Sequence, residues 1–473
     1  MLDGLKPYPA YRKSGVPWLG KMPAHWDVRR GKALFARMDR PPRQLDDVVT
    51  CFRDGVVTLR KNRRVSGFTE SLKEIGYQGI RRGDLVIHAM DAFAGAIGVA
   101  DSDGKGTPVY SVCKARQGVD PGFFALVLRE MARSEWILAL AKGIRERSTD
   151  FRFEAFGAQL LPVPPVQEQS AIARYLDHAE RRIRQVIRIR LKLIRLLGEE
   201  SAGVVHRLVT RGLEPTARFS DSGVAWYGPI PQGWQVVSLG RVIRSAVDGP
   251  HHSPTYVDEG IPFLSARSIK VDRWSLGDVK FISEADFKEF SRRVVPERGD
   301  VLYTKGGTTG VARVVDLDFP FQVWVHVAVL KVEKSRILPS YLALLLNSPR
   351  CYEQSQLLTR GATNQDLGLN RMKQILFPLP PLCDQEAILR HAREVLEPIA
   401  VAVEAARREI SLATELRTRL IADVVTGKFD VREIAALLPL EAETADSSVV
   451  DDDGETEEPD GPLSDDSIAE ADA

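Results

Sequence analysis

The chain has 473 residues, 44% hydrophobic and 27% charged, with 65 Lys and Arg against 64 Asp and Glu. That suits a globular protein of two or three domains, and no apolar run approaches the ~18 residues of a membrane span. Four scattered cysteines without a CxxC pair speak against a zinc knuckle or a disulfide framework, and for reduced thiols in the cytoplasm.

The near-neutral charge hides a division. Residues 441–473 hold 14 Asp or Glu and no Lys or Arg, leaving residues 1–440 with 65 basic against 50 acidic side chains, a net charge of +15. Such a tail has too little apolar surface to fold, and the basic body suits a polyanion such as nucleic acid. The N-terminal MLDGLKPYPAYRK lacks the charged-then-apolar layout of a signal peptide.

In chain order, the first element is a Gly- and Pro-rich lead-in, SGVPWLGKMPAHW at 14–26, unsuited to helix or strand. Its tryptophans, Trp18 and Trp26, are expected to be buried anchors. Arg60, Lys61, Arg63 and Arg64 form a basic cluster, read either as a solvated face or as a phosphate-contacting surface. RRGDLVIH (81–88) reads as a strand, and HAMDAF (88–93) follows it. His88 and Asp91 are candidates for base edges there, since Asp accepts from cytosine N4. Within 143–152, Arg145, Arg147, Ser148 and Arg152 are candidate donors to DNA. Pro162, Pro164 and Pro165 then preset a helix start, and Glu168 suits its first turn. The pattern predicts a helix over 167–210.

The same plan then runs again. The lead-in returns as SGVAWYGPIPQGW (222–234), with Trp226 and Trp234 as the matching anchors, and 11 of 25 positions agree between 4–28 and 212–236. ERGDVLYT (297–304) matches the first strand, and FPLPPLCDQEAILRHA (377–392) matches LPVPPVQEQSAIARYL (161–176), both 216 positions on. His251 and His252 lack companions at metal-ligand spacing and are candidates for a DNA-facing loop. KGGTTG (305–310) is either a tight turn or a loop presenting Lys305, Thr308 and Thr309 to DNA. Arg360, Asn364 and Gln365 are further candidates, Arg suiting guanine and the amides adenine. A second helix is predicted over 383–427, with Pro398 expected to kink or interrupt it near 394.

Both helices carry apolar positions at steps of three and four in a shared register, from Ile172 to Leu208 and from Ile388 to Val424. Helices of about 43 residues would extend roughly 60 Å and need a partner helix, and each duplicate is the obvious partner of the other. The expected fold is therefore α+β: two mixed α/β recognition domains joined by two long helices in an antiparallel coiled coil, with pseudo-twofold duplication. The expected division is 1–166, helix 167–210, 211–382, helix 383–427, a segment 428–440 returning to the N-terminal region, and the tail 441–473. The stretch 181–195 is unusually basic; Arg184, Arg188 and Arg195 are candidates for a docking surface, against the alternative of a solvated face.

The duplicated GV-x-W-x-G-x-x-P-x-x-W start, the RGD strand and the P-x-P-P-x-x-[ED]-Q-x-x-I helix start resemble the specificity subunit of type I restriction–modification enzymes, over residues 4 to about 430. The resemblance implies two target recognition domains, each reading half of a split double-stranded DNA site, with the helices setting the gap. It implies two copies of an N6-adenine methyltransferase subunit as partners, and a restriction or translocase subunit beside them. S-adenosylmethionine, ATP and Mg would belong to those partners, and this chain would bind no cofactor and catalyse nothing. The sequence holds no [DN]-PP-[YF] motif, no dinucleotide fingerprint and no phosphate loop. The competing readings are a stand-alone restriction or methyltransferase enzyme with fused recognition domains, and a coiled-coil scaffold.

Overall fold

The computed structural model describes residues 5–63, 75–140, 150–214, 216–361 and 366–439. The chain forms two compact units, one of residues 1–184 with the chain from 414 onward, the other of residues 185–413. The principal helices are α1 (Pro121–Arg133), α2 (Val166–Arg211), α3 (Pro339–Leu346) and α4 (Leu382–Val425). The acidic stretch 441–473 lies outside the described residues.

In the first unit, β1 (Phe35–Arg37), β2 (Leu85–His88), β3 (Ile97–Val99) and β4 (Tyr110–Ala115) form an antiparallel sheet in the order β1-β4-β2-β3. Side chains alternate across it. Leu85 and Ile87 join a core with Phe35, Phe123 and Phe124, while Val86 joins Val49, Val57 and Val112 on the other face. In the second unit, β5 (Ile243–Asp248), β6 (Val301–Thr304), β7 (Ala312–Val314) and β8 (Val327–Val332) form a sheet in the order β5-β8-β6-β7. It too is antiparallel, with Val301 and Tyr303 on one face and Leu302 and Val329 on the other. The two sheets share one topology.

The repeated motifs occupy matching places. RGD is a turn into the central strand: Gly83 and Gly299 sit at φ 87° and 90°, a region open to glycine. Asp84 accepts the Arg81 N–H at 2.8 Å, and Asp300 accepts the Glu297 N–H at 2.7 Å. Each proline-rich run first pairs as a strand, Leu160–Val163 on Asp27–Arg30 and Leu376–Leu379 on Gln235–Ser238. A helix then begins, because the carbonyls of Pro165 and Pro381 accept the first turn's N–H groups. The glutamine of each motif is fully buried and fully used. Gln169 donates to the Pro164 carbonyl at 2.8 Å and accepts the Asp120 N–H at 2.9 Å; Gln385 donates to the Pro380 carbonyl and accepts the Leu338 N–H, both at 2.9 Å. Each glutamine thereby ties the start of a long helix to the loop before α1 or α3.

The long helices run antiparallel. α2 has 46 residues and α4 has 44, and each contributes to both units. In the first unit Ile172, Leu176 and Ala179 share a core with Leu420 and Val424, and Arg417 pairs with Glu180 at 3.6 Å. In the second, Val204 and Leu208 share a core with Ile388 and Ala392, and Arg190 pairs with Glu409 at 2.5 Å. Thus Arg190, a polar residue in the apolar register, is answered by a carboxylate from the facing helix. Val186, in the same register, is exposed, because one facing helix covers only a strip of its neighbour.

Two expectations need correction. α4 continues through Pro398 without interruption. The ring is exposed, and so is Glu394, whose carbonyl loses its usual donor; both can face water, so the missing bond does not end the helix. Trp226 is not a buried anchor: it is 52% exposed, whereas Trp26 is 1% and Trp234 8% exposed, and Trp18 is half-buried.

The segment after α4 packs against the N-terminal peptide. Asp430 and Lys6 form an antiparallel bridge, Tyr11 donates to the Lys428 carbonyl, and the Arg432 guanidinium lies over the Tyr8 ring. Val431 and Ala435 are buried in the first unit's core. Among the described residues no helix is long and apolar enough to cross a membrane.

Candidate nucleic-acid interface

In each unit the candidate residues gather at one end of the central sheet, where β2 or β6 runs out into a loop. In the first unit His88 ends β2; its Nδ1 accepts the Asp91 N–H at 3.1 Å, and its ring packs 5.1 Å from Tyr110. Burial holds this imidazole below its usual pKa. Asp91 pairs with Arg53 at 3.2 Å. Arg63 pairs with Asp54 at 2.8 Å and stacks over Phe52 at 4.6 Å, while Lys61 pairs with Asp47 at 2.6 Å. Arg60 donates to Thr50 Oγ1 at 3.3 Å. The Phe151 N–H donates to the Ala89 carbonyl at 3.1 Å, bringing 150–152 alongside, where Arg152 pairs with Asp150. His88, Asp91 and Arg152 thus lie on two adjoining segments, and Arg63 reaches Asp54, next to the Arg53 that pairs with Asp91, whereas Arg60 and Lys61 lie along the strands at Thr50 and Asp47. Arg64, Arg145, Arg147 and Ser148 lie outside the described residues.

The second unit has a charged network at the same place. Lys305, directly after β6, is 4% exposed, and its Nζ lies 2.6 Å from Asp366 Oδ1 and 3.4 Å from Asp248 Oδ2. Its backbone N–H donates to the His326 carbonyl, and its own carbonyl accepts the Leu367 N–H. Asp248, at the end of β5 and 3% exposed, also takes Arg293 Nη2 at 2.5 Å and lies 3.5 Å from His251 Nε2. Arg293 Nε donates to the Asp248 carbonyl at 3.0 Å. Burial, and then the Lys305 charge, hold His326 below its usual pKa. Gly306 is required beside it: a Cβ there would lie 2.2 Å from His326 Nδ1.

Lys305 and Thr309, expected on the surface of this loop, are inside it, because Lys305 is drawn between two carboxylates and Thr309 packs with its carbonyl accepting from Gln356. Thr308 is exposed, and its carbonyl accepts from Thr304 Oγ1. Arg360 is exposed and bridged through its backbone to Asp366. His251 is exposed; His252 is exposed beside Phe290, 3.6 Å from Glu289. Asn364 and Gln365 lie outside the described residues. Asp248, Arg293 and Asp366 belong to the cluster but were missed in sequence; the only local signal was the DGPHH break at the end of an apolar strand.

On the long helix, Arg184 pairs with Glu180 and Arg195 with Glu199, one turn away in each case, and all three of Arg184, Arg188 and Arg195 are exposed. Among the described residues no group of three or more His, Cys, Asp or Glu is arranged to hold a metal. Cys51, Cys113 and Cys351 are buried, with thiols pushed up to about 12, 12 and 11, so none is a ready nucleophile.

Comparison with known proteins fits this duplicated arrangement. Residues 231–395 match the family described as the type I restriction modification DNA specificity domain. The chain is 21% identical over 447 residues to the putative type I restriction enzyme MjaX specificity subunit of Methanocaldococcus jannaschii, covering 88% of this chain and 96% of that protein. It is 23% identical over 279 residues to the MjaVIII specificity subunit of the same organism, covering 58% of this chain and 63% of that protein. Among solved structures, a chain from a study of assembly and conformational transition of a type I restriction–modification system superposes with a TM-score of 0.57 at 17% identity, covering 85% of this chain and 98% of that one; it shares the fold.

Proposed function

We infer, for a chain that belongs to the specificity subunits of type I restriction–modification systems, that its two units each read one half of a bipartite DNA sequence. One observation carries this reading. The two sheets repeat one topology between the same lead-in and helix-start motifs, while the loops at the sheet ends carry different polar side chains. A repeated frame with unlike tips is suited to two unlike half-sites. The tips supply the chemistry of DNA readout: arginines for phosphate or guanine, and carboxylates and imidazoles for base edges.

In this reading the long helices set the spacer between half-sites and dock two copies of an N6-adenine methyltransferase subunit, with a restriction or translocase subunit beside them. Arg184, Arg188 and Arg195 belong to the docking face. S-adenosylmethionine, ATP and Mg2+ serve those partners. The chain itself recognises DNA without catalysing its modification, in the cytoplasm.

The test is co-expression with an N6-adenine methyltransferase encoded beside it, followed by methylome sequencing. The expected result is a bipartite motif with methyladenine in each half that appears only when this chain is present. Methylation unaffected by its deletion refutes the reading. Replacing Arg184, Arg188 and Arg195 with Glu should weaken assembly or DNA affinity; wild-type values of both would remove them from the docking face.

A further inference from the structure

Arg293 stands out because its pose is fixed from below while its outer edge is unused. The side chain is 46% exposed, yet its Nε and Nη2 are both committed to Asp248, at 3.0 Å to the carbonyl and 2.5 Å to the carboxylate. Among the described residues Nη1 has no hydrogen-bond partner. Asp248 cannot swing away, because its other carboxylate oxygen lies 3.4 Å from the buried Lys305 ammonium, which is itself held by Asp366. A mobile surface arginine loses side-chain entropy when it binds; this one has lost much of it already.

A guanidinium fixed in this way presents a planar fork, the shape that matches guanine O6 and N7. His251 Nε2 lies 3.5 Å from Arg293 Nη2, so a second polar group flanks the fork. A purely structural ion pair would account for the Asp248–Arg293 contact. It would not require a second, buried cation to fix the carboxylate, since Arg293 alone neutralises it. The sequence of the first unit differs at these positions: 216 residues earlier, Tyr77 stands in the register of Arg293 and Ala89 in that of Lys305. A residue that sets specificity is expected to differ between the readers.

We propose that Arg293 is a guanine-reading residue of the second unit, aimed by Asp248, with Lys305 as the positioning residue that locks Asp248. The proposal rests on the reading of the two units as half-site readers.

The experiment is methylome sequencing with the full chain and its co-expressed methyltransferase. Arg293→Ala should relax one guanine position in one half of the motif, with discrimination there falling roughly 10-fold or more, while the other half stays unchanged. Arg293→Lys keeps the charge but loses the fork and should relax the same position. Asp248→Asn should do so more weakly. An unchanged motif in Arg293→Ala overturns the proposal, and so does a uniform loss of methylation at unchanged melting temperature, which marks a phosphate contact. If Arg293→Ala does not fold, Arg293→Lys decides: a wild-type motif overturns, a relaxed guanine supports. Absence of any bipartite motif with the wild-type chain refutes instead the half-site reading beneath it.

Discussion

The lead-in peptide is anchored more firmly in the first unit than in the second. Glu168, 2% exposed in the first turn of α2, accepts the Tyr8 hydroxyl at 2.5 Å and the Trp26 indole N–H at 2.9 Å, with His25 Nε2 at 2.8 Å. At the same place in the second unit, Asp384 accepts the Trp234 indole N–H at a long 3.4 Å, and otherwise the thiol of its neighbour Cys383 at 3.3 Å. Asp is one methylene shorter, and Thr216 and Gly233 stand where the first copy has Tyr8 and His25. The Tyr8 hydroxyl is correspondingly hard to ionise, through burial first and then its bond to Glu168. One motif therefore supports anchors of very different strength, and the motif's own letters do not reveal which is which.

The sheet ends show the opposite asymmetry. The second unit is locked by Lys305 between Asp248 and Asp366. In the first, Ala89 follows the strand where Lys305 does, and Asp39, beyond the end of β1 as Asp248 ends β5, is exposed. The unit with the stronger anchor has the less constrained tip.

The largest effect that would break this comparison is at the anchors. Glu168→Ala leaves a buried indole N–H and a phenol without their acceptor and should cost about 3 kcal/mol in urea unfolding, against no more than about 1 kcal/mol for Asp384→Ala. Equal losses would mean that the anchors are equivalent. Next come the places where backbone meets backbone. A Cβ at Gly98 would lie 1.9 Å from the Gly55 carbonyl, and one at Gly249 1.9 Å from the Val323 carbonyl. Gly98→Ala and Gly249→Ala should each cost about 2 kcal/mol, one in each unit, measured the same way.

Acidification is a gentler probe. His88 and His326 have lowered folded-state pKa values, so protonation favours the unfolded chain. Their contribution is intact above about pH 6.5 and is lost as pH falls through the lowered values. Melting temperature should therefore drop between pH 7 and 5, and His88→Gln with His326→Gln should flatten that slope. The smallest effect is expected at the helix pair: Arg190→Ala should cost about 0.5 kcal/mol, because Arg190 and Glu409 are both partly in water and their attraction is screened.

Much of the frame was legible in sequence because prolines, glycines and the RGD turns act locally. The proline runs start α2 and α4 within a residue of the expected positions, and the shared apolar register marks the seam. The misreadings share one cause. Whether Trp226 is covered, whether Lys305 points outward and whether Pro398 breaks a helix depend on what the fold brings opposite them. Asp248 and Arg293 are 45 positions apart, and nothing in either neighbourhood announces the other. Gln169 and Gln385 were visible as repeated letters, but only the buried carbonyls around them explain the repetition.

The bridge between Lys6 and Asp430 gives the chain the connectivity of a ring. Leu5 and Leu438, at or next to the described ends, pack against the same core of the first unit, so a linker from 439 to 5 would join them over that core. New termini could then be opened in the turn after α2, at Gly212, which matches Gly4 in the repeat. Such a permuted gene would encode the same contacts in a different order, with the two units exchanged along the chain.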